Sequence, residues 1–120
     1  MSAPIYHISL VSEWRAARGA SEYTMSSNGV TLAQQGFIHC CYDNQIQGVL
    51  QRFYTEVTEP MCLMTIDPYR VTAPVIAENL EGGAELFPHI YGPIPIAAVT
   101  EITMLTRDKY TGWRFERGTA

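Results

Sequence analysis

The chain has 120 residues, a length that predicts one domain with a core of its own. Apolar residues make up 47% of it and charged residues 17%, as in ordinary soluble globular proteins, which excludes a disordered or membranous chain. The formal net charge is −4, and the arginines and lysine do not cluster, which argues against a nucleic-acid partner.

The cysteines and the N-terminus bear on the compartment. Cys40, Cys41 and Cys62 are odd in number and lack ligand-type spacing, which argues against a disulfide framework or a zinc knuckle. The first residues show no basic and then apolar signal pattern, and no apolar run approaches the length of a membrane span. The sequence therefore predicts a cytoplasmic protein with reduced thiols and no membrane partner.

The first half of the chain alternates predicted strands with helices. A short helix is predicted over residues 13–18, with Ser12 as its N-cap and Gly19 as its end. The clearest helix follows Asp43 or Asn44, because apolar residues recur there at three- and four-residue spacing. That apolar stripe consists of Ile46, Val49, Leu50, Phe53 and Tyr54. Strand-like segments bounded by turn residues are 4–10, 22–25 and 36–42.

The second half is predicted to be mostly strand. The strand-like segments are 61–67, 75–77 and 100–105, with one helical turn at 96–99. The sum is a single α+β domain over residues 1–120, with a core of about residues 4–105 and two helices. The tail, residues 107–120, is polar but carries aromatic side chains. These aromatics either dock the tail on the domain or form a contact surface, and they permit a homodimer.

Residues 83–95 carry three side chains of functional types: Glu85, His89 and Tyr91. The two glycines and three prolines of this stretch predict that it stays out of regular structure. Polar side chains on irregular backbone are more often functional than structural. The alternative is a proline-rich surface connection in which His89 is merely solvated.

His7, His39 and His89 are the three histidines of the chain, each on a segment predicted to be extended. Neighbouring strands can bring such side chains into one cleft. One use is a zinc site, for which three imidazoles suffice, although no pair has local ligand spacing. A second is acid–base or nucleophilic catalysis with a neighbouring thiol, where Cys41 rather than Cys40 shares the strand face of His39. A third is recognition of a nucleotide or sugar.

Four blocks of the sequence carry a resemblance to a known family. The blocks are residues 5–9 (Ile-Tyr-His-Ile-Ser), 36–40 (Gly-Phe-Ile-His-Cys), 66–68 (Ile-Asp-Pro) and 85–93 (Glu-Leu-Phe-Pro-His-Ile-Tyr-Gly-Pro). Their order and spacing closely resemble a bacterial family of unknown function, the one numbered 952. That family is more remotely similar to the ADP-ribosyltransferase-like fold, in which a split antiparallel sheet grips NAD.

The resemblance implies a split, mostly antiparallel sheet with two helices and NAD as the ligand, with no metal. His7 on the first strand matches the histidine that holds the nicotinamide ribose, and Phe37 or His39 stands against the nicotinamide. Glu85 or His89 takes the third position. A carboxylate there stabilises the oxocarbenium character of a breaking ribose bond, whereas a neutral imidazole implies binding without transfer.

We therefore predict one cleft that binds NAD, another nucleotide or a sugar phosphate, with ADP-ribosyl transfer or glycohydrolysis as its reaction class. The predicted catalytic residues are His7, His39, Glu85 and His89. The predicted ligand-binding residues are Tyr6, Phe37 and Tyr91. Two alternatives stay open: a non-catalytic module that binds a protein terminus or small acid in the same cleft, and a metal-dependent hydrolase that uses the three histidines.

Overall fold

Two three-stranded antiparallel sheets form the centre of the fold. This computed structural model describes residues 3–80 and 82–115. The strands are β1 (Ile5–Leu10), β2 (Glu22–Tyr23), β3 (Met25–Ser27), β4 (Val30–Thr31), β5 (Ile38–His39), β6 (Met61–Ile66), β7 (Val75–Glu78), β8 (Phe87–Ile90), β9 (Ile94–Pro95), β10 (Val99–Met104), β11 (Thr106–Asp108) and β12 (Gly112–Arg114). The α-helices are α1 (Val11–Ala20), α2 (Leu32–Gln35) and α3 (Ile46–Phe53).

The two sheets meet where β1 passes the end of β5. In the first sheet β6 lies between β1 and β10, and in the second β8 lies between β5 and β7. Tyr6 of β1 and Cys41, just after β5, exchange N–H···O hydrogen bonds of 2.9 and 2.8 Å. This exchange joins the sheets into a split antiparallel arrangement. The shorter strands of the described residues pair as β2–β9, β3–β4 and β11–β12.

β1 and β6 are buried on both faces, and they separate two apolar clusters. Tyr6 belongs to the cluster that also contains Trp113 and the buried residues of α3, whereas Ile5 belongs to the cluster around Tyr23. Successive side chains of a strand point to opposite faces, so His7 lies on the Tyr23 side. Strands buried on both faces have nearly continuous apolar runs, as β6 has.

The predicted α+β class with mostly antiparallel sheets is confirmed. Strands β1, β6, β7 and β10 lie within one residue of the predicted segments at each end. The predicted strand at 22–25 is divided into β2 and β3. Within the predicted segment 36–42, Ile38–His39 form β5, and Cys41 pairs with Tyr6. Gly36 has a left-handed φ of 95° and ends α2, so the strand begins after it.

The predicted ends of the first helix are wrong. α1 begins at Val11, whose N–H donates to the carbonyl of Pro60 at 3.0 Å, so the helix follows β1 directly and Ser12 is not its cap. It also continues through Gly19 and ends at Ser21, which has a left-handed φ of 72°. A contact distant in sequence therefore sets the start of this helix.

The described residues contain one α-helix more than predicted, α2. The segment that leads into α3 is a 3₁₀ turn over Asp43–Gln45, in which the N–H of Tyr42 donates to Oε1 of Gln45 at 2.8 Å. α2 begins at a capping box in which Thr31 and Gln34 hydrogen-bond reciprocally, a pattern visible in the sequence as Thr-x-x-Gln. No helix of residues 3–80 and 82–115 is long and apolar enough to cross a bilayer.

The prediction that residues 83–95 stay out of regular structure is wrong for β8, which is the central strand of the second sheet. Pro88 lacks an N–H group, but its carbonyl still accepts a hydrogen bond from the N–H of Cys40 at 3.0 Å. The prolines therefore do not prevent pairing here. Gly92 follows the strand, where a Cβ atom would lie 2.6 Å from Cβ of Ala73, so the turn needs a glycine.

The C-terminal aromatics divide between docking and exposure. β11 and β12 form a hairpin, and Trp113 of β12 is buried against α3 and the core around it. Nε1–H of Trp113 donates to the carbonyl of Val57 at 2.9 Å. Tyr110, at the turn of the hairpin, is 84% exposed. The last part of the predicted tail, residues 116–120, lies outside the described residues.

The Trp113→Ala variant should lower the free energy of unfolding by about 3 to 5 kcal/mol, because a large buried side chain leaves a cavity and the Val57 carbonyl loses its donor. The matched control is Tyr110→Ala, which removes an exposed ring and should change stability by about 0.5 kcal/mol or less. Urea unfolding of both variants measures the difference. Equal effects would contradict the docking of this hairpin.

Candidate functional site

A cavity of about 360 Å³ lies between the end of α3, the β3–β4 turn and the second sheet. Exposed side chains form its mouth, and buried ones line its interior. The exposed side chains include Asn28, Gln35 and Phe53, and the buried ones include Ser26, Tyr54 and His89. These residues come from five elements or turns, so their proximity depends on the tertiary fold.

Four aromatic side chains form one wall of this cavity, which we call the aromatic wall: Phe37, His39, Phe53 and His89. The rings of Phe37 and His89 are stacked, with centroids 4.1 Å apart and planes inclined by 16°. His39 lies 5.3 Å from His89 and 6.1 Å from Phe53 between ring centroids. Phe53 is 47% exposed although it belongs to the apolar stripe of α3. An exposed phenylalanine at a cavity mouth offers a face for a flat ligand.

His89 presents one ring nitrogen to a carboxylate, and its other ring nitrogen is buried. Its side chain is buried, and Nδ1 lies 2.9 Å from Oε1 of Glu78. The hydroxyl of Tyr91 donates to the same oxygen. An ionised carboxylate only accepts hydrogen bonds, so Nδ1 carries a proton and donates it. Nε2 of His89 is buried and has no hydrogen-bond partner among residues 3–80 and 82–115.

The hydrogen bonds to Glu78 also act on its charge. The hydrogen bonds from Tyr91 and then from His89 lower the pKa of the Glu78 carboxyl below its ordinary value. The same contact raises the pKa of the Tyr91 phenol. Glu78 is therefore a carboxylate at neutral pH, and it keeps its accepting role toward both side chains.

Ser26 supplies a second buried polar atom at the cavity. The residue lies in β3 and is 1% exposed. Its Oγ has no hydrogen-bond partner in the part of the chain that the structure describes. Nearly all buried polar groups in folded proteins are hydrogen-bonded, so an exception at a cavity indicates a partner that is not part of the fold. Tyr54 beside it stays a neutral phenol, because burial raises its pKa.

His7 lies behind the cavity and does not line it. Its Nδ1 is 2.7 Å from the carbonyl oxygen of His39, which only accepts, so Nδ1–H donates. Nε2 then accepts from the hydroxyl of Tyr23 at 2.9 Å. Burial lowers the pKa of His7 to about 4, so the ring is neutral at physiological pH. His7 therefore positions the His39 backbone, while both of its ring nitrogens are engaged within the protein.

The remaining predicted site residues lie outside the cavity lining. Glu85 is exposed, and its Oε1 accepts a hydrogen bond from Nε2 of Gln45 at 3.3 Å. Tyr6 packs in the core. Tyr91 reaches the site indirectly, through Glu78 and through a ring contact of 5.6 Å with Phe37. The fold thus brings together His39, His89 and Phe37, whereas His7, Glu85, Tyr6 and Tyr91 stand apart from the cavity. The catalytic and binding roles of all seven stay predictions.

Residues 8–102 match the family described as "Protein of unknown function (DUF952)". The chain belongs to this family. The crystal structure of protein CC0527 from Caulobacter crescentus has a TM-score of 0.79 and 24% identity to this DUF952 chain, over 93% of this chain and 94% of that one. A solution NMR structure of CC0527 has a TM-score of 0.68 and 26% identity, over 91% and 90% of the two chains. No curated protein matches the chain.

These comparisons establish the family and the fold that this DUF952 chain shares with CC0527. CC0527 is identified by its name and source alone, so the likeness carries no ligand or reaction. The ADP-ribosyltransferase-like fold stays a prediction.

The thiols of this DUF952 chain are poor nucleophiles. Cys40 and Cys41 are buried and unbridged. Burial raises the pKa of Cys40, and it raises the pKa of Cys41 to about 12, so both stay protonated at neutral pH. In residues 3–80 and 82–115, no group of three histidine, cysteine, aspartate or glutamate side chains is placed to hold a metal ion.

Most of the site was not predicted from the sequence: the cavity lining also contains Ser26, Ser27, Asn28, Gln35, Phe53, Tyr54 and Leu80, and Glu78 contacts His89. Ser26 lies just beyond the strand-like segment predicted at 22–25, and Phe53 was assigned to the apolar stripe of a helix. The Thr-x-x-Gln capping box is a signal that could have located α2, and with it Gln35. No local signal identifies Glu78, because it meets His89 only through the pairing of β7 with β8.

As the pH is lowered from 7 to 4, the free energy of unfolding should decrease more steeply in the native chain than in the His7→Gln variant. The pKa of His7 is about 4 in the folded state against an ordinary value of 6.5, so the unfolded state binds an extra proton between these values. His7 therefore costs no stability above pH 6.5 and up to about 3 kcal/mol as the pH falls to about 4.

Glutamine is the chosen replacement because it can donate and accept hydrogen bonds but does not titrate in this range. Urea unfolding of both proteins at several pH values between 7 and 4 measures the difference. Parallel pH profiles would contradict the burial of a neutral His7.

Proposed function

We propose that this DUF952 protein binds a small ligand with a flat ring, a nucleotide such as NAD, in the cavity beside the aromatic wall. The observation that carries the proposal is a pair of buried polar atoms, Nε2 of His89 and Oγ of Ser26, which have no partners in the described part of the chain and belong to two residues that line one cavity. Leaving a buried polar group unpaired costs about 1 to 3 kcal/mol. A ligand that pairs with both atoms recovers this free energy on binding.

The size and lining of the cavity support a ligand of this class. A volume of about 360 Å³ is within the range of small-molecule sites and accommodates a ring with an attached sugar. The aromatic wall provides stacking surfaces, and the exposed face of Phe53 stands at the mouth. Two amide side chains, Asn28 and Gln35, also lie at the mouth and can donate and accept hydrogen bonds.

The charge around the mouth supports a phosphate-bearing ligand. The guanidinium carbon of Arg52 lies 5.0 Å from the ring centroid of Phe53, which places a positive charge beside the cavity entrance. Guanidinium groups match the geometry of phosphate oxygens. The split antiparallel sheet supports the ADP-ribosyltransferase-like interpretation of the fold. His7 does not support the ribose contact that this interpretation implies, because both of its ring nitrogens are engaged within the protein.

The position of Glu85 favours binding without group transfer over ADP-ribosyl transfer. Cleavage of a nicotinamide–ribose bond needs a carboxylate near the developing positive charge. Glu85 is exposed and accepts a hydrogen bond from Gln45. Among the residues that the structure describes, no aspartate or glutamate lines the cavity. A binding protein for nucleotides is therefore the better-supported form of the proposal, and transfer is the second candidate.

Titration calorimetry with NAD, ADP-ribose and nucleoside monophosphates tests the proposal. We expect heat with at least one of them in the native protein, and affinity about two- to tenfold weaker in Ser26→Ala because one hydrogen bond to the ligand is lost. The same variant should be no less stable than the native chain, since it removes a hydroxyl that the fold leaves unpaired.

The matched control is Ser12→Ala, which makes the same chemical change on the exposed surface of α1. It should leave both affinity and stability unchanged. The absence of heat with every nucleotide would remove the proposal, and equal affinities of the two variants would remove Ser26 from the site.

A further inference from the structure

Two buried histidines, His7 and His89, have the same kind of hydrogen bond at Nδ1 but differ at Nε2. In each, Nδ1–H donates to an oxygen that can only accept: the His39 carbonyl for His7, and the Glu78 carboxylate for His89. The bond at Nδ1 leaves Nε2 of a neutral ring as an acceptor. In His7 this acceptor is filled by the hydroxyl of Tyr23. In His89 this acceptor is buried without a partner in the described residues, and His89 is one of the residues that line the cavity.

We infer that Glu78 is a positioning residue, which holds His89 in the Nδ1–H form so that Nε2 accepts a hydrogen bond from the ligand. The cavity then selects flat ligands that carry an N–H or O–H donor at the ring edge over ligands of the same shape without one. The ligand preference rests on the proposed function. The role of Glu78 in placing the proton of His89 does not depend on any ligand.

Three contacts keep the imidazole of His89 in this orientation. The ring of Phe37 is stacked on it at 4.1 Å, which fixes the plane of the ring. The carboxylate of Glu78 fixes the position of Nδ1 within that plane. The hydroxyl of Tyr91 donates to the same carboxylate oxygen and so holds the carboxylate itself. Rotation of the ring would break the bond to Glu78, and the stacked ring limits tilting.

The consequence for ligand choice follows from the acceptor. An N–H or O–H group of a ligand pairs with Nε2, whereas a methyl group of the same size leaves this buried nitrogen unpaired. A carbonyl or carboxylate oxygen directed at Nε2 brings two acceptors together. A polar site of this kind discriminates against an isostere that lacks the donor more strongly than an apolar pocket discriminates by size.

The first test measures the proton positions in the ligand-free protein. Imidazole ¹⁵N chemical shifts, recorded at a pH above the range where histidine titrates, distinguish a protonated from a bare ring nitrogen. For the native chain we expect Nδ1 of His89 protonated and Nε2 bare. In Glu78→Ala the proton should redistribute toward Nε2, because the acceptor at Nδ1 is lost.

Two controls make this test specific. Tyr91→Phe keeps the carboxylate and removes only the hydroxyl, so His89 should keep its proton on Nδ1. His7 should keep its Nδ1–H in every variant, which also shows that the fold is intact. A protonated Nε2 in native His89, or an unchanged His89 spectrum in Glu78→Ala, would overturn the inference about Glu78.

The second test uses nicotinamide and 3-acetylpyridine, two flat rings of nearly equal shape. The first carries an amide N–H group where the second carries a methyl group. We expect nicotinamide to bind the native protein about tenfold more tightly in an NMR titration, and the preference to disappear in Glu78→Ala. Equal binding of the two rings, or binding of neither, would overturn the selection of donors.

The two tests separate this inference from the proposed function. A protein that binds no nucleotide in calorimetry but shows the expected ¹⁵N pattern would lose the nucleotide proposal and keep the role of Glu78. A protein that binds NAD but carries the His89 proton on Nε2 would keep the nucleotide proposal and lose the inference.

Discussion

The junction between the two sheets is the constraint on which the site depends. Tyr6 and Cys41 exchange two backbone hydrogen bonds, and the neighbouring His7 side chain donates to the carbonyl of His39. These contacts place β5 beside β1. β8 then pairs with β5, and β7 pairs with β8. Within the aromatic wall, His39 and His89 lie on β5 and β8 and Phe37 directly precedes β5, so the relative positions of these three rings follow from this junction.

Buried polar groups in this protein are of two kinds, and the difference separates fold from site. His7 has both ring nitrogens engaged by the protein, and burial keeps it neutral. His89 and Ser26 are equally buried but each keeps one atom without a partner in the described chain, and both residues line the same cavity. An unpaired buried group is costly, so fully paired groups are best explained by stability and unpaired ones by binding.

Membership of the DUF952 family and the likeness to CC0527 agree with the fold derived from the sequence pattern. Three of the ten residues that line the cavity were also anticipated. Phe37, His39 and His89 were named as site residues and lie together at the cavity. Glu85 was named because it lies in the proline-rich stretch with His89 and is a candidate for the third position that the resemblance implies, yet Glu78 is the carboxylate that His89 contacts. A neighbouring strand brought Glu78 there, and separation along the chain gave no sign of it.

The sequence by itself determined the local elements, because strand alternation and helical spacing are short-range patterns that burial of apolar side chains enforces. β1, β6 and the apolar stripe of α3 are of this kind. Only the tertiary structure decided that β8 is a central strand despite Pro88, and that one carboxylate, Glu78, meets His89. It alone also placed His7 behind the cavity and Ser26 inside it. Pairing between strands distant in sequence sets these contacts, and a chain read residue by residue does not contain the register of that pairing.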